Sequence, residues 1–568
     1  MKKNKVFEYL LYAIILACVF TLIFSRILAK PVSNLDELWN YNTARQIANG
    51  LIPYKDISMI TTPLLPTVIA IILKLTTDEL IVFRIITAVI STSLIFMTYL
   101  IFKQILKNKL TCVILTGFIL YIYYKNFMLD YNFVVLLIAL IIEYIELKKL
   151  EKTPIVNNKN EVIENIKINN IEDGKIKDVS NKKDLNFAVI KDNRYNFIIG
   201  LLSGIAICTK QTLGVFVAIG TLIAPMLFVN NKENLKQYIK NALIRILGML
   251  IPVMAFVIFL IISGSLKYFI DYAILGIKTF SNSISYKSLI NSKEKMLKIF
   301  AIILPVFLML ILVAFIINST SKKKKIPIHI LGRLEIMTVY SAIMLIVLYP
   351  IADKTHFYIA MLPLFIECIY VIIEIIKSIY FKIKYKLKEN TKQNLENSKH
   401  IRDKISKIID FTIRASIILA IVGVGANYTY TELNDYIGNN NRNKNIRHYE
   451  NIIVTDYIES RINDVKELIK SAERKEIDVI ILDAEASVID IPLDRYHKNY
   501  DMFLKGNIGK DGEEGIIKDI QNSTKCIYLT KKDKKKLNWQ SPRQAINYVE
   551  ENLEKLGELN LYNLYYKK

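Results

Sequence analysis

The sequence predicts a polytopic α-helical membrane protein of about eleven transmembrane helices, followed by a C-terminal α/β domain on the outer side. Three observations carry this. First, of 568 residues 52% are hydrophobic and 22% charged, too apolar for an ordinary soluble protein and too charged for a bare membrane bundle. Second, several apolar segments reach the roughly 20 residues needed to cross a hydrocarbon core about 30 Å thick. Third, the net charge of +23 is unevenly spread. From Asn427 onward there are 23 Lys and Arg against 24 Asp and Glu, while the first 426 residues hold 52 against 28. The excess lies in loops between apolar segments. That is the positive-inside pattern, not a phosphate-binding stripe, so no nucleic-acid partner is expected.

The elements follow in order. The apolar run 6–28 follows MKKNK, which is like the charged start of a signal peptide. It is longer than a signal h-region and lacks a small-x-small cleavage site, so it reads as an uncleaved anchor. Further spans are expected near 81–102, 110–124, 131–147, 196–209, 211–229, 243–263, 297–318, 331–350, 356–376 and 412–427. With the N-terminus in the cytoplasm, the loops holding Lys103, Lys107 and Lys109, then Lys232, Lys236, Lys240 and Arg245, then Lys322 to Lys325, and the basic stretch 377–414, all fall inside. The apolar piece 64–75 is only about a dozen residues long and Pro63 and Pro66 interrupt its start, so it reads as a juxtamembrane or re-entrant helix. The insert 148–195 is rich in Asn, Lys, Glu and Ile without periodicity and reads as a flexible cytoplasmic excursion.

The expected domains are therefore 1–427, the membrane domain, and 428–568, the outer domain. In the latter, 477–483, 526–530 and 561–566 read as strands, and 461–474 and 545–556 as helices, an α/β pattern. The cluster GNIGKDGEEG at 506–515 reads as a surface turn, since no strand runs straight into it as a phosphate loop requires. Cys18, Cys112, Cys208 and Cys368 lie in spans and Cys526 is alone in the tail. Their spacing fits neither a disulfide framework nor a zinc site.

The richest polar stretch is 33–66, on the outer side after the first span. Ser33 is an expected N-cap for a short amphipathic helix, with Asp36 three residues on and Asn49-Gly50 as its stop. Asp36 has two readings: a carboxylate serving the helix start, or a reactive group. Adjacent residues lie about 100° apart on a helix, so Asp36 and Glu37 should not share one role. In GLIPYKD, Tyr54, Lys55 and Asp56 either line a sugar or phosphate site or are solvated loop residues. Asp130, between the third and fourth spans, is either an N-cap or an ionisable site group facing the bundle. Lys210-Gln211 interrupts apolar sequence, and a basic group there needs an anion, either a carboxylate such as Asp130 or a ligand phosphate. In YPIADKTHF, His356 is either structural or a contact for a phosphate or sugar hydroxyl.

This ordered set resembles the GT-C superfamily of membrane glycosyltransferases. It is most similar to the branch of protein O-mannosyltransferases and lipid A aminoarabinose transferases, and to uncharacterised bacterial relatives. The carriers are Asp36-Glu37 opening an outer loop, the Asn49-Gly50 and IPYKD run, Arg84 entering the second span, Asp130 opening the fourth, Thr209-Lys210 after Gly200 and Gly204, and the Asp353-x-x-His356 turn. The likeness covers most of residues 1–380, and the tail resembles outer domains appended in some relatives. Two features depart from the pattern: Thr62-Pro63 stands where many relatives have a double proline, and the 148–195 insert is unusual.

The resemblance implies an inverting transfer of a hexose or pentose from a polyprenyl-phosphate carrier to a cell-envelope glycan, lipid or protein, in a multi-pass cell-membrane enzyme. It implies Asp36 as acceptor-activating base, Glu37 as support for the loop or acceptor, Asp130 as a second site carboxylate, and Lys210 as a donor-phosphate partner. His356 and Lys55 join Lys210 as phosphate-binding candidates. A lipid phosphate leaves as a stable anion, so no general acid is required, and no sequence feature demands a metal or other cofactor. Two rivals stand beside this. A transporter or flippase for a lipid-linked glycan predicts inverted repeats or broken charged helices near mid-membrane. A non-catalytic envelope scaffold predicts that the outer domain recruits partners.

Overall fold

The computed structural model describes residues 2–32, 35–106, 108–152, 192–229, 231–279, 284–320, 328–390 and 396–568. The expected cap at Ser33 and most of the insert, 153–191, lie outside the described residues.

A helix stands at each of the eleven expected spans: α1 (Lys2–Leu28), α4 (Leu80–Ile105), α5 (Lys109–Tyr123), α6 (Tyr131–Lys152), α7 (Asn193–Thr209), α8 (Gln211–Met226), α9 (Lys232–Ile262), α10 (Lys295–Thr320), α11 (Ile328–Met344), α12 (Lys354–Asn390) and α13 (Glu396–Ile437). Between α1 and α4 lie α2 (Leu35–Ala48) and the short α3 (Leu64–Leu75). Among the described residues, five helical segments are both long and apolar enough to cross a membrane: Leu80–Ile105, Lys232–Ile262, Lys295–Ile317, Ile330–Leu348 and Lys354–Tyr380. Shorter apolar helices accompany them.

Several helices outrun their apolar windows. α9 starts at Lys232, where the Asn231 side chain accepts the Asn234 N–H as a cap. α12 and α13 extend well into the Lys-rich stretch between them. Apolar length marks what a membrane would cover, whereas Lys and Glu, good helix formers, carry the backbone helix further. The expected domain division at 427/428 falls inside α13.

Close backbone approach sets one seam of the bundle. A Cβ added at Gly200 would collide with the Arg245 carbonyl, one at Gly204 with Met249 and Pro252, and one at Gly248 with the Phe197 carbonyl. α7 and α9 thus pack backbone to backbone, a small-residue interface suited to lipid surroundings.

The tail forms a four-stranded sheet in the order β1 (Asp478–Ile481), β2 (Cys526–Lys531), β4 (Tyr562–Lys567), β3 (Glu554–Glu558). β1 and β2 are parallel and the other pairs antiparallel. Its helices are α14 (Asp456–Glu473), α15 (Gly512–Asn522) and α16 (Arg543–Asn552). Thr455 caps α14 by accepting the Ile458 N–H, so that helix starts five residues before the expected 461. The expected helix 545–556 is corrected: α16 ends at Asn552 and β3 begins at Glu554. β3 is charged and exposed, like many edge strands, and only its pairing with β4 makes it a strand.

Alternate residues of β1 and β2 enter two cores. Ile480, Leu482, Cys526 and Tyr528 pack with α15 and α16 residues such as Ile516 and Ile546. Val479, Ile481, Ile527 and Leu529 share a core with Leu38 and Tyr41 of α2, Leu65 and Ile69 of α3, and Phe83 of α4. The tail and the α2–α3 segment therefore fold as one packed unit on one end of the bundle.

Candidate active site

α2 enters this shared core with Leu38, Tyr41 and Ala44 fully buried, which fixes its rotation and sends Asp36 and Glu37 in different directions. Glu37 turns to Arg84 of α4. Arg84, itself fully buried, donates to both Glu37 carboxylate oxygens at 2.9 and 3.0 Å, and to the carbonyls of Ile27 and Lys30 at 3.1 and 2.7 Å. This bidentate pair locks the end of α1, the start of α2 and the start of α4 together.

Asp36 faces elsewhere. It keeps water-accessible surface while protein surrounds it closely. Burial and then the negative charge of Asp130 push its pKa up to about 6, with His356 pulling it down and Asp353 adding to the rise. The structure thus brings Asp36 within electrostatic reach of three residues from two other chain segments.

Asp130 takes the helix-cap place that one of its sequence readings gives it. It caps α6 by accepting the Asn132 backbone N–H, and it accepts from Asn132 Nδ2 at 3.1 Å. Its charge also bears on Asp36 and on Lys210. Lys210 sits in the break between α7 and α8, its backbone extended at φ −151° and ψ 111°. Its ammonium donates to Asn132 Oδ1 at 2.7 Å and lies 4.6 Å from the Tyr131 ring centroid. Burial lowers Lys210 to about 8 against the opposing pull of Asp130. Gln211 ties the same break to the α2–α3 loop, donating to the Ile60 carbonyl at 2.7 Å and accepting the Thr62 N–H at 3.2 Å.

His356 opens α12. Asp353 caps that helix, accepting the His356 backbone N–H at 2.9 Å, and lies 2.8 Å from His356 Nδ1. Burial works against the Asp353 carboxylate, but the hydrogen bonds and charge of His356 hold it below the usual range. A carboxylate on one imidazole nitrogen orients the ring and leaves Nε2 for a ligand.

Lys55 stands apart. Its side chain is exposed, and the ammonium reaching this loop is Lys498 of the tail, donating to the carbonyls of Tyr54 and Lys55 at 3.0 and 2.6 Å. Tyr54 holds a left-handed backbone, φ 66°, with its hydroxyl on the Thr61 carbonyl at 2.7 Å. The 506–515 cluster is not a free surface turn either. Its backbone donates from Gly506 to Thr279 and from Lys510 to the Asp271 carboxylate at 3.0 and 2.8 Å, docking the tail on the α9–α10 loop.

Sequence reasoning did not place Tyr131, Asn132 or Trp39 beside these groups. Trp39 meets Tyr131 edge to face at 6.1 Å between centroids, a wall next to Lys210. The only local signal was LDYN itself, an Asx-rich helix start. The clamp on the far end of α2 was also missed. Asn42 Nδ2 donates to buried Asp501 at 2.6 Å, and Arg45 pairs with Asp494 and lies 2.9 Å from His448 Nε2.

No protein-family model matches the chain, and no curated protein matches it. Solved structures match it in shape. The crystal structure of ArnT from Cupriavidus metallidurans bound to undecaprenyl phosphate aligns over 98% of each chain, with a TM-score of 0.52 and 10% identity. The Archaeoglobus fulgidus oligosaccharyltransferase tethered with an acceptor peptide covers 92% of this chain and 69% of its own, with a TM-score of 0.46 and 11% identity. The ArnT alignment takes in bundle and tail together, so this chain shares the overall fold of that structure.

Proposed function

We propose that the chain is an inverting glycosyltransferase that moves a hexose or pentose from a polyprenyl-phosphate carrier to a cell-envelope acceptor on the outer face of the membrane. The observation that carries this reading is the convergence of Asp36, Asp130, the Asp353–His356 pair and Lys210 at one end of the bundle. The ArnT structure that shares this fold holds undecaprenyl phosphate, which supports a lipid-phosphate donor.

The acceptor hydroxyl loses its proton as it attacks the anomeric carbon. Asp36, near 6, is ionised at neutral pH yet more basic than an ordinary carboxylate, which suits it to take that proton. The C–O bond to the carrier breaks with its electrons on the phosphate oxygen. Lys210 supplies a fixed cation for that phosphate, oriented by Asn132 and Asp130, and His356 offers a second contact. Glu37 acts through Arg84 as a positioning residue, and Lys55 has no part in this arrangement. In this reading the N-terminus is cytoplasmic and the tail is a second domain outside, which the loop charges support.

The test uses the full chain in lipid nanodiscs with polyprenyl-phosphate hexoses and pentoses and envelope extract as acceptor. Donor consumption should fall by about 10²–10⁴-fold in Asp36→Asn. Equal consumption by variant and wild type overturns the role of Asp36. Lipid movement across the bilayer without sugar transfer favours a transporter instead.

A further inference from the structure

The tail grips two outer loops at once, the α2–α3 loop and the α9–α10 loop. Lys498 donates to the carbonyls of Tyr54 and Lys55 at 3.0 and 2.6 Å. Its ammonium also lies 4.7 and 5.1 Å from the ring centroids of Tyr268 and Tyr272. The charges of Asp56, Asp271 and Asp519 bear on it, yet its hydrogen bonds go to backbone carbonyls. Next to it, Asn499 accepts from the Tyr272 hydroxyl at 2.5 Å, and its backbone N–H donates to Ser58 Oγ at 3.2 Å. A cation held by two carbonyls and two aromatic rings is a directional clamp, unlike a solvated surface charge.

The clamped loop is strained, and its far end reaches the candidate site. Tyr54 holds φ 66°, a conformation that a bulky side chain rarely adopts unless its surroundings impose it, and Lys498 takes the carbonyl of that same residue. The Tyr54 hydroxyl spans the loop to the Thr61 carbonyl at 2.7 Å. At that end Ile60 packs with Trp39 and Tyr131, the wall beside Lys210. Thr62 Oγ1 donates to the Ile207 carbonyl in the last turn of α7 at 3.0 Å, and Gln211 bonds Ile60 and Thr62. The loop therefore meets the α7–α8 break on both sides of Lys210. α2, by contrast, is fixed by its own core and by the Glu37–Arg84 pair.

We propose that Lys498 is a positioning residue for the lipid-phosphate donor: by holding the Tyr54 and Lys55 carbonyls it fixes the α2–α3 loop, and through Ile60, Thr62 and Gln211 the place of Lys210. This rests on the donor-phosphate role of Lys210 in the function proposed above. It makes the tail a working part of the donor site.

The test measures binding of undecaprenyl phosphate to the full chain in lipid nanodiscs, together with hydrogen exchange across 52–62. Lys498→Met keeps the apolar stem and removes the cation, so its Kd should rise about tenfold. Lys498→Arg has a fork that can serve both carbonyls and stack on the tyrosines, and should bring Kd back to within about threefold of wild type. The Asp56 and Thr62 amides, bonded to the Ile52 carbonyl and to Gln211, should exchange faster in Lys498→Met and return to wild-type rates in Lys498→Arg. Should Lys498→Met fail to fold, Tyr272→Phe, which removes only the hydroxyl on Asn499, should raise Kd about threefold. Where transfer is measurable, donor KM should rise more than kcat falls, since the donor phosphate is an anion before the sugar leaves. An unchanged Kd in the variant that folds, unchanged exchange at Asp56 and Thr62, or an Arg variant no better than Met overturns the positioning role. Wild type that binds undecaprenyl phosphate but transfers no sugar defeats the proposed function alone, and a tenfold weaker Kd in Lys498→Met still supports the clamp.

Discussion

Asp36 and Glu37 are sequence neighbours with opposite chemistry, because about 100° of helix rotation separates them. Glu37 is paired bidentately with fully buried Arg84, and Asp36 faces the charges of Asp130, His356 and Asp353. Their substitutions should therefore split. Glu37→Ala leaves a buried guanidinium unpaired and should cost about 3 kcal/mol or more of stability, seen as a fall in Tm. Asp36→Asn should leave Tm unchanged or higher at pH 8 while losing turnover. The sign follows from linkage. A carboxyl raised to about 6 favours the fold in its protonated form, so its contribution is full below the unfolded value and lost as pH rises through 6. Turnover runs the other way and should rise through pH about 6, since the base must be ionised. A wild-type rate independent of pH between 5 and 7 counts against Asp36 as base.

At the scale of elements, the glycine seam between α7 and α9 holds the segment that ends at Lys210. Gly200→Val sets a side chain against the Arg245 backbone carbonyl, which cannot rotate away. Overpacking of this kind costs about 1–3 kcal/mol, so the variant should melt several degrees below wild type. A melt matching wild type would show that the helices separate freely. α3 was legible as a short helix because a largely apolar stretch of twelve residues, with Pro63 before it and Pro66 in its first turn, is too short to span. β3 was not, since Glu554 to Glu558 has no strand signature of its own and takes its state from β4.

For the whole molecule, the tail and α2 stabilise each other. Asn42 reaches Asp501 across 459 residues, and Arg45 meets Asp494 and His448. Burial raises Asp501 to about 7, Asp490 adding to the rise, while Asn42, His497 and Arg45 oppose it. A buried carboxyl raised this far stabilises the fold below the unfolded carboxylate value and loses that contribution as pH climbs toward 7. Asp501→Asn should flatten this loss, on the order of 2–4 kcal/mol between pH 4 and 8. A pH–Tm curve identical to wild type would remove Asp501 from the clamp.

The sequence by itself determined the eleven helices and the α/β character of the tail. These follow from apolar length and residue periodicity, both of which are local. It also marked Asp36, Asp130, Lys210 and His356, because ionisable groups at the edges of apolar spans are costly and therefore conspicuous. Only the tertiary structure decided which of them meet. It turned Glu37 to Arg84, brought Tyr131 and Asn132 beside Lys210, paired His356 with Asp353, and seated the tail on α2. Such pairings join segments far apart in the chain, and they depend on helix rotation and docking, which no local pattern encodes.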